Sequence, residues 1–522
     1  MAWMSTLNPV PGFPPYSGPY RVGSFDVEIP VSQLNSPSPA PEASVSTVSC
    51  RVFYPCEPGS QERPVRWIPA PQRGYMSAYA RFLGAGSALA HIFAYFPQFL
   101  YFTSIPVLRN AKLLPPPTKS SRWPVMIFSH GLGGSRNAYS HICGSISSHG
   151  MVVIAPDHRD GSAPISYVRA TDSAEARTVD YRSLPHKPSP EVYEGRDAQL
   201  RIRLWELGLV HDAVLRMDAG EELKNLDPNK SAGGKQDTAS LISMLKGKLD
   251  VHKPGSISWA GHSFGAASVH QFVKSVFYRQ ESPIEGYRPL FTPESTSALV
   301  EQVTSSSPVI LLDLWCLPLT SPATKWLADK PLPCYAPDGP GGTTLLAILS
   351  EAFVKWSDHF QETRRRLSED PSSDTFKQTK APPRFFYPLG SAHLSQSDFG
   401  ILFQWVTKKF LKTDEPERYL KLNVRAILQM LRENGVEVAD TSRIDLEEAE
   451  ASQKEDGNVV SADKSGDWKI LGTNGEVRGW VPLTTNLNDS EQLIPGTSKQ
   501  QAEIGTTGKA LSQITKEEGV EL

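Results

Sequence analysis

The chain has 522 residues and a formal net charge of −3, and hydrophobic residues make up 39% of it. This length allows either several domains or one elaborated α/β domain, with enough apolar residues for a large core. Because there is no global basic excess, nucleic acid is not expected to be a partner. The five cysteines are odd in number and lack metal-type spacing, so neither a disulfide framework nor a zinc site is expected.

The first part of the chain predicts two strands and no secretory signal. Residues 24–31 and 45–54 are rich in alternating β-branched and aromatic residues, which is typical of strands. Residues 1–20 are rich in Pro and Gly and lack a charged stretch followed by an apolar one. This favours a cytoplasmic protein in which Cys50 and Cys56 are reduced thiols, although those two could pair in an oxidising compartment.

Residues 82–102 are the most apolar part of the chain. His91, Pro97 and Gln98 interrupt the stretch, so a membrane span is not expected. Two interpretations remain open. The stretch is either a helix pair buried against the body, or a lid or interfacial segment whose aromatic rings enter a membrane surface.

A short apolar strand over 124–129 is followed by His-Gly-Leu-Gly-Gly at 130–134. The glycines let backbone N–H groups approach a substrate oxygen and form one arm of an oxyanion hole. An ordinary glycine-rich turn is the alternative interpretation. The polar residues 157–160 follow the next predicted strand, 151–155, where an ion-paired structural corner and a catalytic role are both open.

Further along, apolar positions at helical spacing predict a crossover helix over 196–217. Residues 221–238 are polar and rich in Gly and Lys, which predicts an exposed insertion. Residues 342–357 are expected to form an amphipathic helix, and the charged residues 362–380 a loop.

The stretch 256–268 contains the pattern G-x-S-x-G with Ser263 at its centre. This pattern predicts a sharp strand-to-helix turn that lifts the serine hydroxyl to the top of a sheet. An apolar run before it and small residues after it favour that interpretation over a plain glycine-rich loop.

A serine needs a neighbouring base, and histidine has a suitable pKa. Downstream of Ser263 the histidines are His270, His359 and His393. His270 falls within the helix after the serine and His359 in a charged helical context. His393 follows a predicted strand, 384–388, and is the expected base, with a surface histidine as the alternative interpretation.

A carboxylate must orient the histidine, and in this fold it comes between the serine and the histidine in the chain. Asp313 ends a buried apolar strand and is the expected acid, whereas Asp398 comes too late in the order. The backbone N–H groups of Leu132 and Phe264 are expected to form the oxyanion hole. Neither a metal nor a cofactor is expected.

Strands alternating with helices, with polar residues just after the strands, predict a mostly parallel central sheet flanked by helices. Together with the G-x-S-x-G turn, this arrangement predicts an α/β-hydrolase. We expect the catalytic domain to span 20–435. From 438 to 522 the composition is polar, which predicts a low-complexity and mostly disordered tail in which Trp468 and Trp480 indicate a short docked piece.

Four motifs occur in the order found in one known family: His-Gly-Leu-Gly-Gly, Gly-His-Ser-Phe-Gly, Leu-Asp-Leu-Trp-Cys-Leu-Pro-Leu and Gly-Ser-Ala-His. Arg66 to Pro69, His158 to Asp160 and Arg196 to Trp205 add support. From about residue 20 to 435 the chain resembles platelet-activating factor acetylhydrolases of the plasma and intracellular type II branches. These are α/β-hydrolases that act as calcium-independent phospholipases.

The resemblance implies a serine esterase that removes short or oxidised acyl groups from the sn-2 position of glycerophospholipids. Ser263 would be the nucleophile, Asp313 the acid and His393 the base, with Leu132 and Phe264 as oxyanion donors. A phospholipid is then the expected substrate. Peripheral membrane contact through 82–102 is a separate expectation, which rests on the aromatic composition of that segment. Two alternatives are a general carboxylesterase or polyester hydrolase with the same triad, and an inactive hydrolase fold that serves as a membrane-binding module.

Overall fold

A computed structural model gives the fold of most of the chain. The described residues are 12–86, 90, 94, 99–229, 238–281, 287–373, 375, 377–404, 408, 415–450, 470–472 and 477–487.

The strands of the described residues are β1 (Arg21–Pro30), β2 (Thr47–Cys56), β3 (Pro64–Arg66), β4 (Ser104–Arg109), β5 (Trp123–Ser129), β6 (Val152–Pro156), β7 (Ile165–Val168), β8 (Arg177–Asp180), β9 (Leu249–Asp250), β10 (Ile257–His262), β11 (Val309–Leu312), β12 (Leu345–Ile348), β13 (Arg384–Pro388) and β14 (Trp480–Pro482). The α-helices are α1 (Gln72–Phe82), α2 (Ser140–Ser148), α3 (Pro190–Ala219), α4 (Thr238–Ser243), α5 (Phe264–Phe277), α6 (Leu299–Gln302), α7 (Lys325–Ala328), α8 (Glu351–Lys355), α9 (Ser357–Leu367), α10 (Asp398–Leu402), α11 (Pro416–Glu433) and α12 (Arg443–Glu450).

One large sheet organises the described residues. Its strand order is β14-β13-β12-β11-β10-β5-β6-β2-β1-β4-β3, and the short β9 pairs with β5. The six neighbours from β13 to β6 are parallel to one another, whereas β2 and β14 join this block antiparallel at its two sides. Parallel neighbours end at the same edge of a sheet, so the residues that follow these strands are brought together there.

Both faces of the sheet are covered, as β5 illustrates. Val125 and Ile127 pack into the core on the face that carries α3 and α5, whereas Met126 and Phe128 pack into a second core with α2 and α11. Successive side chains of a strand point to opposite faces, so a strand buried on both sides is apolar throughout. The predicted α/β-hydrolase class, with its mostly parallel sheet flanked by helices, is confirmed.

Most of the predicted elements are present, and the helix expected over 196–217 lies within α3. The amphipathic helix expected over 342–357 is wrong, because β12 occupies Leu345–Ile348, between a 3-10 turn at Gly341–Thr344 and the short α8. All four residues of β12 are buried. A short apolar run of this kind cannot be assigned to helix or strand by periodicity alone.

The expectation of an exposed insertion at 221–238 is only partly right for 221–229, since Glu221, Glu222 and Lys224 are exposed but residues 225–229 are half-buried or buried against β1. Residues 230–237 lie outside the described residues. The Asn225 and Asn229 side chains accept hydrogen bonds from backbone N–H groups of β1 and donate to the Asp26 carbonyl. They satisfy the edge of β1 where β4 no longer pairs with it. The loop expected over 362–380 is also wrong in its first part, where α9 continues to Leu367.

The segment after 438 contributes to the sheet. Trp480 lies in β14, stacks on Phe386 with ring centroids 5.4 Å apart, and donates from Nε1 to the Ile470 carbonyl at 2.7 Å. Trp468, the other tryptophan expected to mark a docked piece, lies outside the described residues. The far C-terminal part of the chain therefore adds a strand beside β13.

Among the described residues, none of the helices combines the length and the apolar character that crossing a bilayer requires.

We predict that Trp480→Ala lowers the free energy of unfolding by about 3 kcal/mol, because it empties a buried aromatic site between β14 and β13. Urea unfolding followed by circular dichroism measures this change. Ile444→Ala is the control, since Ile444 is 64% exposed and its truncation should change stability by less than about 0.5 kcal/mol. Equal, small effects of the two substitutions would contradict the docking of β14.

Candidate active site

Ser263 occupies a sharp turn between β10 and α5. Its backbone has φ 57° and ψ −118°, a conformation that a non-glycine residue rarely adopts. The turn can close because Gly261 and Gly265 lack side chains. A Cβ on Gly261 would collide with the backbone of Gly265, and one on Gly265 would collide with the Ser129 carbonyl. The serine is thereby held at the carboxyl edge of the sheet.

The structure brings Ser263, His393 and Asp313 into one hydrogen-bonded series. The Ser263 Oγ lies 3.0 Å from His393 Nε2, and His393 Nδ1 lies 2.8 Å from Asp313 Oδ2. Asp313 follows β11, and His393 lies on the loop after β13. Such a series lets a histidine take the serine proton while the carboxylate holds the imidazole in the correct tautomer.

Asp313 is fully buried, so its carboxylate needs hydrogen-bond donors. Oδ2 faces His393, and Oδ1 accepts from the backbone N–H of Ser350, which follows β12. The backbone N–H of Asp313 donates to the Ile348 carbonyl at 2.8 Å, and its φ of 44° turns the side chain back towards the histidine. These contacts fix the orientation of the Asp313 carboxylate.

Two rings stack on the His393 imidazole. The Phe353 ring is nearly parallel to it, with centroids 4.6 Å apart and an angle of 6°, and the His262 ring lies 4.5 Å away at 31°. Burial and the neighbouring His393 lower the pKa of His262 well below its ordinary value. A neutral ring therefore lies beside the histidine that would become charged.

The two expected oxyanion amides lie on either side of the serine. Phe264 begins α5 directly after Ser263, and Leu132 follows Gly131, on which a Cβ would lie 3.0 Å from Ser263 Cβ. Within the described parts of the chain, no group accepts a hydrogen bond from the N–H of Leu132 or Phe264. Both amides are therefore available to a substrate oxygen, as an oxyanion hole requires.

Arg203 of α3 supports both of these segments. Its buried guanidinium pairs with Asp160 at 2.6 Å and donates to the His130 carbonyl at 2.8 Å. The guanidinium carbon also lies 4.4 Å from the centroid of the Phe264 ring, a cation–π contact. One side chain thus braces the loop before Leu132 and the residue after the serine.

A second hydrogen-bonded series, made of a serine, a histidine and a glutamate, is buried near the site. His158 Nε2 lies 2.9 Å from Ser129 Oγ, and His158 Nδ1 lies 2.7 Å from Glu206 Oε2. Burial lowers the pKa of His158 and raises the pKa of Glu206 to about 8. Because all three residues are buried, a substrate could not reach them. Residues 157–160 therefore form a structural corner, one of the two interpretations that the sequence left open.

The other sequence candidates lie outside the triad. His270 is buried within α5, and His359 Nε2 accepts from the backbone N–H of Cys316 at 3.1 Å. Asp398 accepts from the backbone N–H groups of Ser140 and His141 at the start of α2, and burial raises its pKa to about 6.

Sequence reasoning missed three residues that shape the site: His262, Phe353 and Arg203. His262 stands inside the G-x-S-x-G pattern, so its position was a usable signal. Arg203 lies among apolar helical positions, where a buried arginine carries no motif. Phe353 falls in the stretch whose secondary structure was predicted wrongly.

Three side chains of the site are also the one group in the described part of the chain that could hold a metal ion. Ligand atoms of His262, Asp313 and His393 lie within 4.8 Å of one another. A cation bound there would compete with the His393–Asp313 hydrogen bond. The hydrogen bond between His393 and Asp313 and a metal site are thus alternative uses of the same atoms.

Comparison with known proteins gives consistent matches. The family model described as platelet-activating factor acetylhydrolase, isoform II, matches residues 6–448. A putative phospholipase A2 of Schizosaccharomyces pombe is 28% identical over 454 residues, which cover 81% of this chain and 92% of that protein. A platelet-activating factor acetylhydrolase of Cavia porcellus is 32% identical over 259 residues, 49% of this chain and 51% of its own.

A solved ferulic acid esterase from Streptomyces cinnamoneus is 14% identical, with a TM-score of 0.44 over 81% of this chain and 93% of that one.

With its serine on a strand-to-helix turn at the carboxyl edge of a mostly parallel sheet, the protein falls in the α/β-hydrolase class. Because the family match spans most of its length, the chain belongs to the platelet-activating factor acetylhydrolase family, isoform II. The resemblance drawn from the sequence motifs is confirmed. The protein is a hydrolase that acts on esters, of the lipid-esterase or phospholipase A2-like kind.

We predict that Asp313→Asn lowers kcat for a soluble aryl ester by about 10³-fold or more, because an amide cannot hold the histidine tautomer that accepts the serine proton. Steady-state kinetics measure the loss. Asp218→Asn is the matched control, since Asp218 is also buried and hydrogen-bonded but pairs with Arg122 and His252 instead of His393. A rate for Asp313→Asn equal to that of the control would contradict the assignment of the acid.

Proposed function

We propose that the protein hydrolyses the sn-2 ester of glycerophospholipids that carry a short or oxidised acyl chain, as a calcium-independent acetylhydrolase of the platelet-activating factor type. The observation that carries the proposal is the hydrogen-bonded series Ser263–His393–Asp313 beside two unoccupied amides. Membership of the acetylhydrolase family supports the choice of lipid ester.

In the proposed mechanism Ser263 Oγ attacks the sn-2 carbonyl carbon while His393 Nε2 accepts its proton. Asp313 stabilises the resulting imidazolium, and the N–H groups of Leu132 and Phe264 bind the developing oxyanion. As the tetrahedral intermediate collapses, His393 returns the proton to the departing lysophospholipid oxygen. Water, activated by the same histidine, then attacks the acyl-enzyme and regenerates the free serine.

We predict that the purified protein releases acetate from a 2-acetyl phospholipid in the presence of a calcium chelator, and that Ser263→Ala reduces kcat by at least about 10³-fold. A fluorophosphonate probe should label the wild type and not the variant. Full activity in Ser263→Ala would overturn the nucleophile assignment. A phospholipid rate no better than that on soluble aryl esters would favour a general carboxylesterase, and an unlabelled wild type would favour an inactive module.

We also propose that the segment 82–102 contacts a phospholipid surface. Phe99 and Phe102 are 57% and 58% exposed, which is unusual for phenylalanine in a folded domain. The guanidinium of Arg66 lies 6.0 Å from the centroid of the Phe102 ring, a cation suited to lipid phosphates. Ala90 and Ala94 are buried, and residues 87–89, 91–93 and 95–98, Phe96 among them, lie outside the described residues.

The segment also begins next to the candidate site, which supports a role in substrate delivery. Phe82, the last residue of α1, lies so close to Gly133 that a Cβ there would collide with its ring. Tyr181 packs edge-on against the same ring, with centroids 4.7 Å apart. At its other end α1 begins at Gln72, whose Nε2 donates to the Tyr101 carbonyl at 3.1 Å. Helix α1 therefore spans the distance between the exposed rings at 99–102 and the oxyanion loop, residues 130–134.

The double variant Phe99→Glu/Phe102→Glu should bind phosphatidylcholine vesicles at least about tenfold more weakly, because two apolar rings no longer enter the interface. Hydrolysis of a soluble ester should not change. Vesicle co-sedimentation measures the binding, and Ile444→Glu, at another exposed apolar residue, is the control. Unchanged vesicle binding in the double variant would exclude this surface.

A cytoplasmic location completes the proposal. All five cysteines are buried and unpaired, which suits a reducing compartment. Retention of activity and of five free thiols in a glutathione buffer of cytosolic composition would be consistent with it.

A further inference from the structure

The hydroxyl of Tyr139 joins two parts of the candidate site that are far apart in the chain. Tyr139 is 4% exposed and directly precedes α2. Its oxygen accepts a hydrogen bond from the backbone N–H of Gly131 at 3.1 Å and lies 2.8 Å from His262 Nδ1. Because this oxygen already accepts from Gly131, its own proton is available to donate to His262.

The two residues that Tyr139 joins each lie close to an oxyanion amide. Gly131 precedes Leu132, whose N–H is one expected donor, and His262 precedes the serine, after which comes Phe264 with the other. A Cβ on Gly131 would lie 3.0 Å from the Tyr139 hydroxyl and 3.0 Å from Ser263 Cβ. The hydroxyl therefore lies where the oxyanion loop and the serine turn meet, and it bridges them.

The same hydroxyl bears on the tautomer of His262, whose low pKa comes from burial and from His393. If Nδ1 accepts from Tyr139, the ring proton lies on Nε2 and the imidazole is neutral. Burial raises the pKa of Tyr139, so the phenol keeps the proton that it donates. The His262 ring lies 4.5 Å from His393, and a charged His262 would oppose the positive charge that His393 gains when it takes the serine proton.

We propose that Tyr139 is a positioning residue for ester hydrolysis: its hydroxyl fixes the spacing of the two oxyanion amides and the orientation of the His262 ring beside the base. It acts through Gly131 and His262 and does not touch the substrate. This inference rests on the proposed use of Ser263 and His393. The competing interpretation is a structural tyrosine, since its ring also packs against Phe128 with centroids 5.1 Å apart.

Tyr139→Phe separates the two interpretations because it removes one oxygen and keeps the ring. With a soluble aryl ester we expect kcat to fall roughly tenfold or more while KM changes less than about twofold, since the lost hydrogen bonds matter most in the transition state. The affinity for a trifluoromethyl ketone, which forms a tetrahedral adduct with the serine, should fall by a similar factor.

Tyr54→Phe is the matched control. Tyr54 in β2 is equally buried, and its hydroxyl donates to the Ala111 carbonyl at 2.6 Å. This variant should lose thermal stability with kcat and the inhibitor affinity unchanged. If Tyr139→Phe behaves like Tyr54→Phe, the positioning role is overturned while the proposed function stands. An inactive wild type would instead sink the proposed function itself.

A double-mutant cycle with His262→Phe tests whether the effect of Tyr139 passes through His262. His262→Phe retains a ring but removes the Nδ1 acceptor. If Tyr139 acts through His262, the double variant should be no slower than the slower single variant. Losses that multiply would mean that the two residues act independently, which would overturn the inference.

Discussion

The candidate site depends on the strained turn at Ser263, which is held from two sides. Gly265 packs on the Ser129 carbonyl of β5, and the backbone N–H of Ser263 donates to the Leu312 carbonyl at the end of β11 at 2.8 Å. A residue in such a conformation costs about 1–3 kcal/mol and persists only where its surroundings fix it. Here the fixing strand is the one whose next residue is Asp313. The positions of Ser263 and Asp313 are therefore set by the same backbone.

Each of four neighbouring parallel strands contributes one group to a single hydrogen-bonded assembly. Ser263 follows β10, Asp313 follows β11, the Ser350 N–H follows β12, and His393 lies on the loop after β13. The distances between these groups are set by the spacing of neighbouring strands. They do not depend on the long segments that connect one strand to the next. Insertions between the strands can vary in length while the geometry of the four groups stays the same.

The site residues that could be predicted from the sequence are those that lie in a recognisable local pattern. Ser263 has its flanking glycines, Asp313 ends an apolar strand, and His393 follows one, so each could be selected from its immediate neighbours. Tyr139 and Arg203 have no such signal, because their contacts depend on residues about 70 to 120 positions away. The fold class followed from the alternation of strands and helices.

The secondary-structure errors have the same origin. β12 was expected to be helical because four consecutive apolar residues carry no period, and only its place between β11 and β13 makes it a strand. At 221–229, polar composition predicted exposure, whereas Asn225 and Asn229 are held by hydrogen bonds to β1 that no local pattern announces. Composition describes the solvent preference of a segment, and tertiary hydrogen bonds can reverse it.

The short strand β14 has a consequence for the solution behaviour of the protein. Without it, β13 would be an outer strand whose N–H and C=O groups are free to pair with any extended chain, including a second copy of the protein. β14 satisfies that edge through the Leu389 N–H to Gly479 carbonyl bond and the Leu483 N–H to Phe385 carbonyl bond. β14 itself then forms the edge of the sheet, but it is three residues long and ends in Pro482, which has no N–H to donate, so it gives another chain little to pair with.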